Sequence, residues 1–182
     1  MSSISTLLNR VSNWKTLVGL ILIDVLFVAV LLKNAEEKMN AMAGKIIGPI
    51  DLTFGFNPRR TLRMIEDYGD AARDYYMSVE LTIDLAYPLV YAFLFAVAIT
   101  LIYRRLLGGP VRYLNVLPFI AMCFDYLENI AIVFLLKNYP EQSLTIAILC
   151  EFFKLIKWLL FGLVIFLVLY GLIKLLLNIG RK

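Results

Sequence analysis

The chain has 182 residues, 61% of them hydrophobic, and a formal net charge of +4. A soluble domain carries about 45–50% apolar residues, so this composition, with a mean hydropathy of +0.80, excludes an ordinary soluble fold. The absence of histidine removes Ser-His-Asp triads and histidine metal sites, and the two cysteines, Cys123 and Cys150, form no CxxC motif.

Residues 1–15 set Ile4, Leu7, Leu8, Val11 and Trp14 at helical spacing, with Arg10 and Lys15 alongside. That pattern predicts a helix lying in the membrane interface. Residues 16–33 form the first apolar span. Its core is too long for a cleavable signal, and LLKNAEEKMN after it offers no small-x-small cleavage site, so it is read as an anchor.

Residues 34–78 are too patterned for a tether and are expected to form an extracytoplasmic amphipathic cap. Met39, Met42, Ala43, Ile46 and Ile47 continue the first helix with an apolar stripe. GPIDLTFGFNP interrupts it. Asn57-Pro58 then reads as an N-cap with proline at the first helical position. Leu62, Ile65, Tyr68, Ala72 and Tyr75 mark the apolar face of the helix that follows.

Three further apolar stretches, residues 79–103, 114–136 and 144–177, have the length that crosses a bilayer, about 17–25 residues or more. The expected fold is therefore all-α, a single membrane domain built as a four-transmembrane-helix bundle, with amphipathic helices in the loop between spans one and two. Both termini then share a side with the short loop between spans two and three. That side holds Arg10, Lys15, Arg104, Arg105, Arg112, Lys174, Arg181 and Lys182 and no acid. The positive-inside rule places it in the cytoplasm of a cell whose inner membrane the chain crosses.

The informative departure is a set of ionisable residues inside apolar segments. Asp24, Glu80, Asp84, Asp125, Glu128 and Glu151 fall in the four spans, with Lys154 and Lys157 in the last. Each costs roughly 2.5–3.5 kcal/mol at a helix centre facing lipid, so they are expected to face inward. At a rise of about 1.5 Å per residue, Asp24, Asp84, Glu128 and Glu151 all lie about 10–13 Å in from the same end of their spans. Glu80, Asp84, Tyr87 and Tyr91 share one face of span two; Asp125, Glu128 and Asn129 share one of span three. Pro88 frees a carbonyl near that level.

Gly69-x-x-x-Arg73-x-x-Tyr76, Asp84-x-x-x-Pro88-x-x-Tyr91, Asp125-x-x-Glu128-Asn129 and Lys157-Trp158 are present together over roughly residues 50–160. In this the chain resembles a family of small four-span bacterial membrane proteins with no established activity. The resemblance implies the architecture and this residue list, not a reaction.

Asp84, Asp125 and Glu128 are thus the candidate catalytic carboxyls. Asn129, Tyr87, Tyr91, Arg73, Glu151 and Lys154 are the candidate substrate contacts, Arg73 as a gate or anion contact. Asp84, Asp125, Glu128 and Asn129 are also candidate oxygen ligands for a hard cation such as Mg2+. Six acids facing two lysines require protons, a cation or water to offset the excess. Three functions stay open: an enzyme or binding protein acting on a lipid or isoprenoid-like ligand, a proton- or cation-coupled transporter or channel, and a scaffold whose polar network only fixes packing. Expected partners are the bilayer, a lipidic or small cationic ligand and further copies of the chain; nucleic acid is not among them.

Overall fold

Apolar composition dictates helices, because a backbone without water must satisfy its own hydrogen bonds. A computed structural model describes residues 3–179, and all its regular structure is helical. The elements are α1 (Ser3–Val11), α2 (Trp14–Leu26), a π-helical segment (Phe27–Leu32), α3 (Lys33–Ala43), α4 (Pro58–Glu80), α5 (Ile83–Leu107), a 3-10 turn (Leu114–Val116), α6 (Leu117–Lys137) and α7 (Leu144–Ile179). Four helical stretches among the described residues are long and apolar enough to cross a membrane: Trp14–Ala43, Pro58–Leu107, Leu114–Lys137 and Leu144–Asn178. Of the basic residues assigned to one face, Arg181 and Lys182 lie outside the described residues, as do the first two residues of the expected N-terminal helix.

The chain divides into two compact units. The first comprises residues 1–24, 89–122 and 158–182; the second comprises 25–88 and 123–157.

In the first unit Ile99, Ile102, Tyr103, Val111 and Val164 make the core. Gly171 sits where α7 runs against α5, since a methyl group there would collide with Ile102. Helix α1 is held by polar contacts. Ser5 Oγ lies 2.9 Å from both the Val111 carbonyl and Asn115 Oδ1, Asn9 Nδ2 donates to the same carbonyl at 2.9 Å, and Arg104 donates to the carbonyls of Asn9 and Ser12. The buried positions are Ser5, Leu8 and Ser12, whereas Ile4, Leu7, Val11 and Trp14 are exposed. The expected apolar stripe therefore splits: Leu8 turns into the protein with the serines and the rest faces outward.

The second unit contains the long loop, and that loop is built. Met39, Ile50, Met64, Ile65, Tyr68, Ala72 and Tyr76 share a core with Ala131, Ile132, Leu135 and Leu136 of α6 and with Ala147 and Cys150 of α7. Its turns are stitched by Asn40, which accepts from the amides of Ile47 and Gly48, and by the Tyr68 hydroxyl, which donates to the Gly48 carbonyl at 2.7 Å. Asn57 caps α4 as its sequence predicts, its side chain accepting from the Arg60 amide at 3.0 Å with Pro58 behind it.

The expected face of α4 is the one that packs: Ile65, Tyr68 and Ala72 are buried and Leu62 and Tyr75 lie against the same core. Thr61, Met64 and Tyr76 are also buried and widen that face beyond the expected residues. One expectation about this region needs correction. Span two does not run unbroken from residue 79. Helix α4 ends at Glu80, the chain turns at Leu81–Thr82, and α5 begins at Ile83, so Glu80 and Asp84 belong to different helices.

Helix α4 itself is broken by Gly69, which adopts φ 70°, ψ 169°. That region of backbone space is essentially open only to glycine. The substitution Gly69→Ala adds a methyl that meets nothing within 4 Å, so its cost is purely conformational, about 1–3 kcal/mol. Gly162→Ala, a helical position in α7 with equally open surroundings, loses no stability. Unfolding of both variants in detergent, followed by loss of helicity, measures the contrast.

Candidate functional site

Polar side chains of the second unit fall into two groups. The first is fully committed to holding the fold. Glu151 is 2% exposed; its Oε2 accepts from the Asn57 amide at 2.8 Å and its Oε1 from Thr61 Oγ1 at 2.5 Å. Lys154 Nζ pairs with the same Oε1 at 2.5 Å and donates to Thr53 Oγ1 at 2.7 Å. A carboxylate on α7 thus grips the amino end of α4, where helix N–H groups lack intrahelical acceptors, while its lysine neighbour ties down the preceding loop. Glu151 and Lys154 do form the expected pair, and it is closed on all sides by protein groups.

Arg73 belongs to the same group. It is 7% exposed, and its Nη1 donates to the Ile65 carbonyl at 2.9 Å, across the Gly69 break that leaves the preceding turn without amide donors. Its Nη2 pairs with Asp70, and the guanidinium stacks 3.7 Å from the Tyr139 ring centroid. The sequence suggested a gate or anion contact; the geometry gives Arg73 the role of closing a helix break.

The second group surrounds Lys157. Asp125, Glu128 and Asn129 line one face of α6, and Lys157 follows Cys150, Glu151 and Lys154 along one face of α7; all are buried. The Lys157 ammonium lies 2.6 Å from Glu128 Oε2 and 3.3 Å from Asp125 Oδ1. Its approach to Glu128 is an ion pair set off the hydrogen-bonding direction, and neither carboxylate oxygen of Glu128 has a hydrogen-bond partner.

Asp84 joins through Asn129, whose Nδ2 donates to Asp84 Oδ2 at 2.8 Å and lies 3.4 Å from the Asp84 carbonyl. That carbonyl is the one left without its helical donor by Pro88, four residues on. The next carbonyl, of Leu85, accepts from the Tyr126 hydroxyl at 3.0 Å. Two side chains of α6 therefore serve the proline site. Asp84 is half-buried, so the nest reaches the surface there.

Glu80, 2% exposed, completes the arrangement. Its Oε2 has no partner, and it lies close enough to Asp84, Asp51 and Glu128 for their charges to act on it. Asp51 also accepts from the Tyr76 hydroxyl at 3.3 Å.

Of the residues singled out by sequence, the second unit gathers Asp84, Asp125, Glu128 and Asn129, with Glu151 and Lys154 beside them on α7. Tyr87 lies in the same unit, stacked on Phe27 at 5.9 Å. Tyr91 and Asp24 belong to the first unit, where Tyr91 is buried edge-on to Phe161. The sequence missed the central position of Lys157, although its spacing after Glu151 and Lys154 marks the same face. It also missed Asp51, whose loop carries no periodic signal.

As a metal site the arrangement is incomplete. Among the described residues no three Asp, Glu, Cys or His side chains are grouped to hold a metal ion, and the position between Asp125 and Glu128 is taken by the Lys157 ammonium. An open cleft bordered by Phe134, Asn138, Glu141 and Ser143 lies at the α6–α7 turn and includes none of the nest residues. Comparison with protein-family models, curated proteins and solved structures gives no match.

Removing the Glu151 carboxylate strands an amide, a hydroxyl and a buried ammonium at once. Breaking a buried pair in this way costs about 3–5 kcal/mol. Glu151→Ala is expected to lower unfolding stability by that amount and to expose the loop of residues 44–57 to protease. Thr61→Val, which removes one contact, costs about 1 kcal/mol and leaves the loop protected.

Proposed function

We propose that this chain is an integral protein of the cell membrane, with both termini in the cytoplasm, and that its acid-rich nest binds the polar head of a lipidic ligand drawn from the bilayer. Four apolar helices support the membrane reading, and the uncompensated basic residues near both termini support the orientation. Glu128 carries the binding reading. It has zero exposure, an ion pair on one oxygen and no hydrogen-bond partner for the other. A network serving only to pack helices gains by satisfying such a group, since an unpaired buried acceptor costs about 1–3 kcal/mol.

The nest favours binding over bond-breaking. Its carboxylates are held by Asn129 and Lys157, and the first is reachable at Asp84. Exposed apolar side chains stand near that point in the chain, Leu81 in the turn before α5 and Leu85 in its first turn, and α6 exposes Leu127 and Ile130. Such an arrangement supports a ligand with a polar end and an apolar tail, consistent with an ionisable intramembrane site being functional by default.

Native mass spectrometry of the protein released from membranes tests the reading. Wild type should retain a small amphipathic species that is lost in Glu128→Gln and in Asp84→Asn, with both variants still folded. Equal retention by all three, or none by any, would return the nest to a packing role. Ion flux in proteoliposomes that Asp125→Asn abolishes would move the reading to transport.

A further inference from the structure

The donor groups of the nest are all engaged, and several of its acceptors are not. Asn129 Nδ2 donates to Asp84, the Tyr126 hydroxyl to Leu85, and the Lys157 ammonium to Asp125, with Glu128 beside it as an ion pair. Around them, the Tyr76 hydroxyl is given to Asp51 while accepting from the Ile50 amide. The Thr61 hydroxyl and the Lys154 ammonium are given to Glu151, and Arg73 is given to Ile65 and Asp70. Among the described residues of the second unit, the buried side-chain atoms without a hydrogen-bond partner are both oxygens of Glu128, with Oε2 in the ion pair, Asn129 Oδ1 and Glu80 Oε2. All are acceptors, on residues less than a tenth exposed.

Charge agrees with this inventory. Asp125 and Glu128 share one lysine, Asp84 is joined to them through Asn129, and Glu80 has no cation paired with it among the described residues; an excess of buried carboxyls is offset only by protons or by a further cation. A phosphate, sulfate or carboxylate head would have to compete with Asp125 and Glu128 for the Lys157 ammonium and would leave the free acceptors unmet. A hard metal ion would find no three-ligand group among the described residues. A protonated primary amine brings positive charge and three donors on one small atom, which is what the free acceptors lack.

From this we infer that the ligand is a cationic amphiphile: a primary or secondary ammonium carried on an apolar chain, its head entering at Asp84 and its tail lying over Leu81 and Leu85. The inference rests on the binding reading above and adds the chemical class. Donor-bearing cations are preferred because the nest must be given hydrogen bonds as well as charge. A quaternary ammonium, with charge and no N–H, satisfies only half of that demand.

The test uses the full chain in nanodiscs and calorimetric titration with single-chain probes of one length: dodecylamine, dodecyltrimethylammonium, dodecanol, dodecanoate and dodecyl phosphate. Dodecylamine is expected to bind at least about tenfold more tightly than the quaternary probe, and the two anions not at all. Glu128→Gln and Asp84→Asn are expected to weaken dodecylamine by about tenfold or more, with thermal unfolding confirming that each variant is folded. Asp74→Asn, an exposed carboxylate on α4, leaves binding unchanged.

If Glu128→Gln fails to fold, Asn129→Asp supplies the second arm. It adds a carboxylate to the nest and removes the donor held by Asp84, and it must not weaken dodecylamine relative to dodecanol. Binding of dodecanoate or dodecyl phosphate that depends on Glu128 overturns the cation assignment and leaves the lipidic site standing. Amine binding indifferent to every nest variant, or no Glu128-dependent binding of any probe, overturns both.

Discussion

A lysine ammonium held between two carboxylates of a neighbouring helix is the interaction on which the second unit depends. Lys157 reaches Glu128 and Asp125 from α7, and all three side chains are removed from solvent. Isolated, each would carry the cost of an unpaired charge in an apolar setting, several kcal/mol per ion. Together they tie α6 to α7 within the second unit. One face of α7 then continues into Lys154 and Glu151, which take hold of the loop and of the first turn of α4.

The division of labour among these charges has a physical logic. Where a polar group is needed to hold the chain, it is saturated: both Glu151 oxygens, the Arg73 guanidinium and the Asn57 cap all have close partners. Where groups cluster around Lys157 they are not saturated, and what is left over is acceptor capacity. The helices are interrupted by a break at Gly69, a turn at Leu81–Thr82 and a proline at residue 88. Each interruption is met by a side chain: Arg73 donates to Ile65 at the first, Thr82 to Ser78 at the second, and Asn129 and Tyr126 reach Asp84 and Leu85 at the third. Breaking the helices is what lets their side chains be used twice, for backbone and for site.

Much of this was legible in the sequence, for identifiable reasons. Charged residues in apolar helices have few tolerable directions, so the i, i+3, i+4 set of Asp125, Glu128 and Asn129 had to share a buried face. Asn57-Pro58 announces a helix start through chemistry local to two residues. The freed carbonyl at Pro88 follows from covalent structure alone. Other features depend on tertiary partners and left no periodic trace. Arg73 reads as a gate or anion contact until the Gly69 break supplies a carbonyl for it. Thr61 reads as polar surface until Glu151 arrives from a helix ninety residues later. Tyr91 shares a helical face with Asp84 on paper, yet the chain assigns it to the other unit, because a common face says nothing about where along a long helix the packing partners change.

The most direct measurement is a double-mutant cycle between α6 and α7, using Lys157→Met, Glu128→Gln and the pair together, read as unfolding free energy in detergent. If the ammonium between the carboxylates organises the nest, Lys157→Met is the more damaging single change, and Glu128→Gln in its background recovers part of the loss. The coupling energy then falls within about 0.5–3 kcal/mol. Additivity to within about 0.3–0.5 kcal/mol would contradict it, showing that the two side chains act independently and that the nest is not a single electrostatic unit.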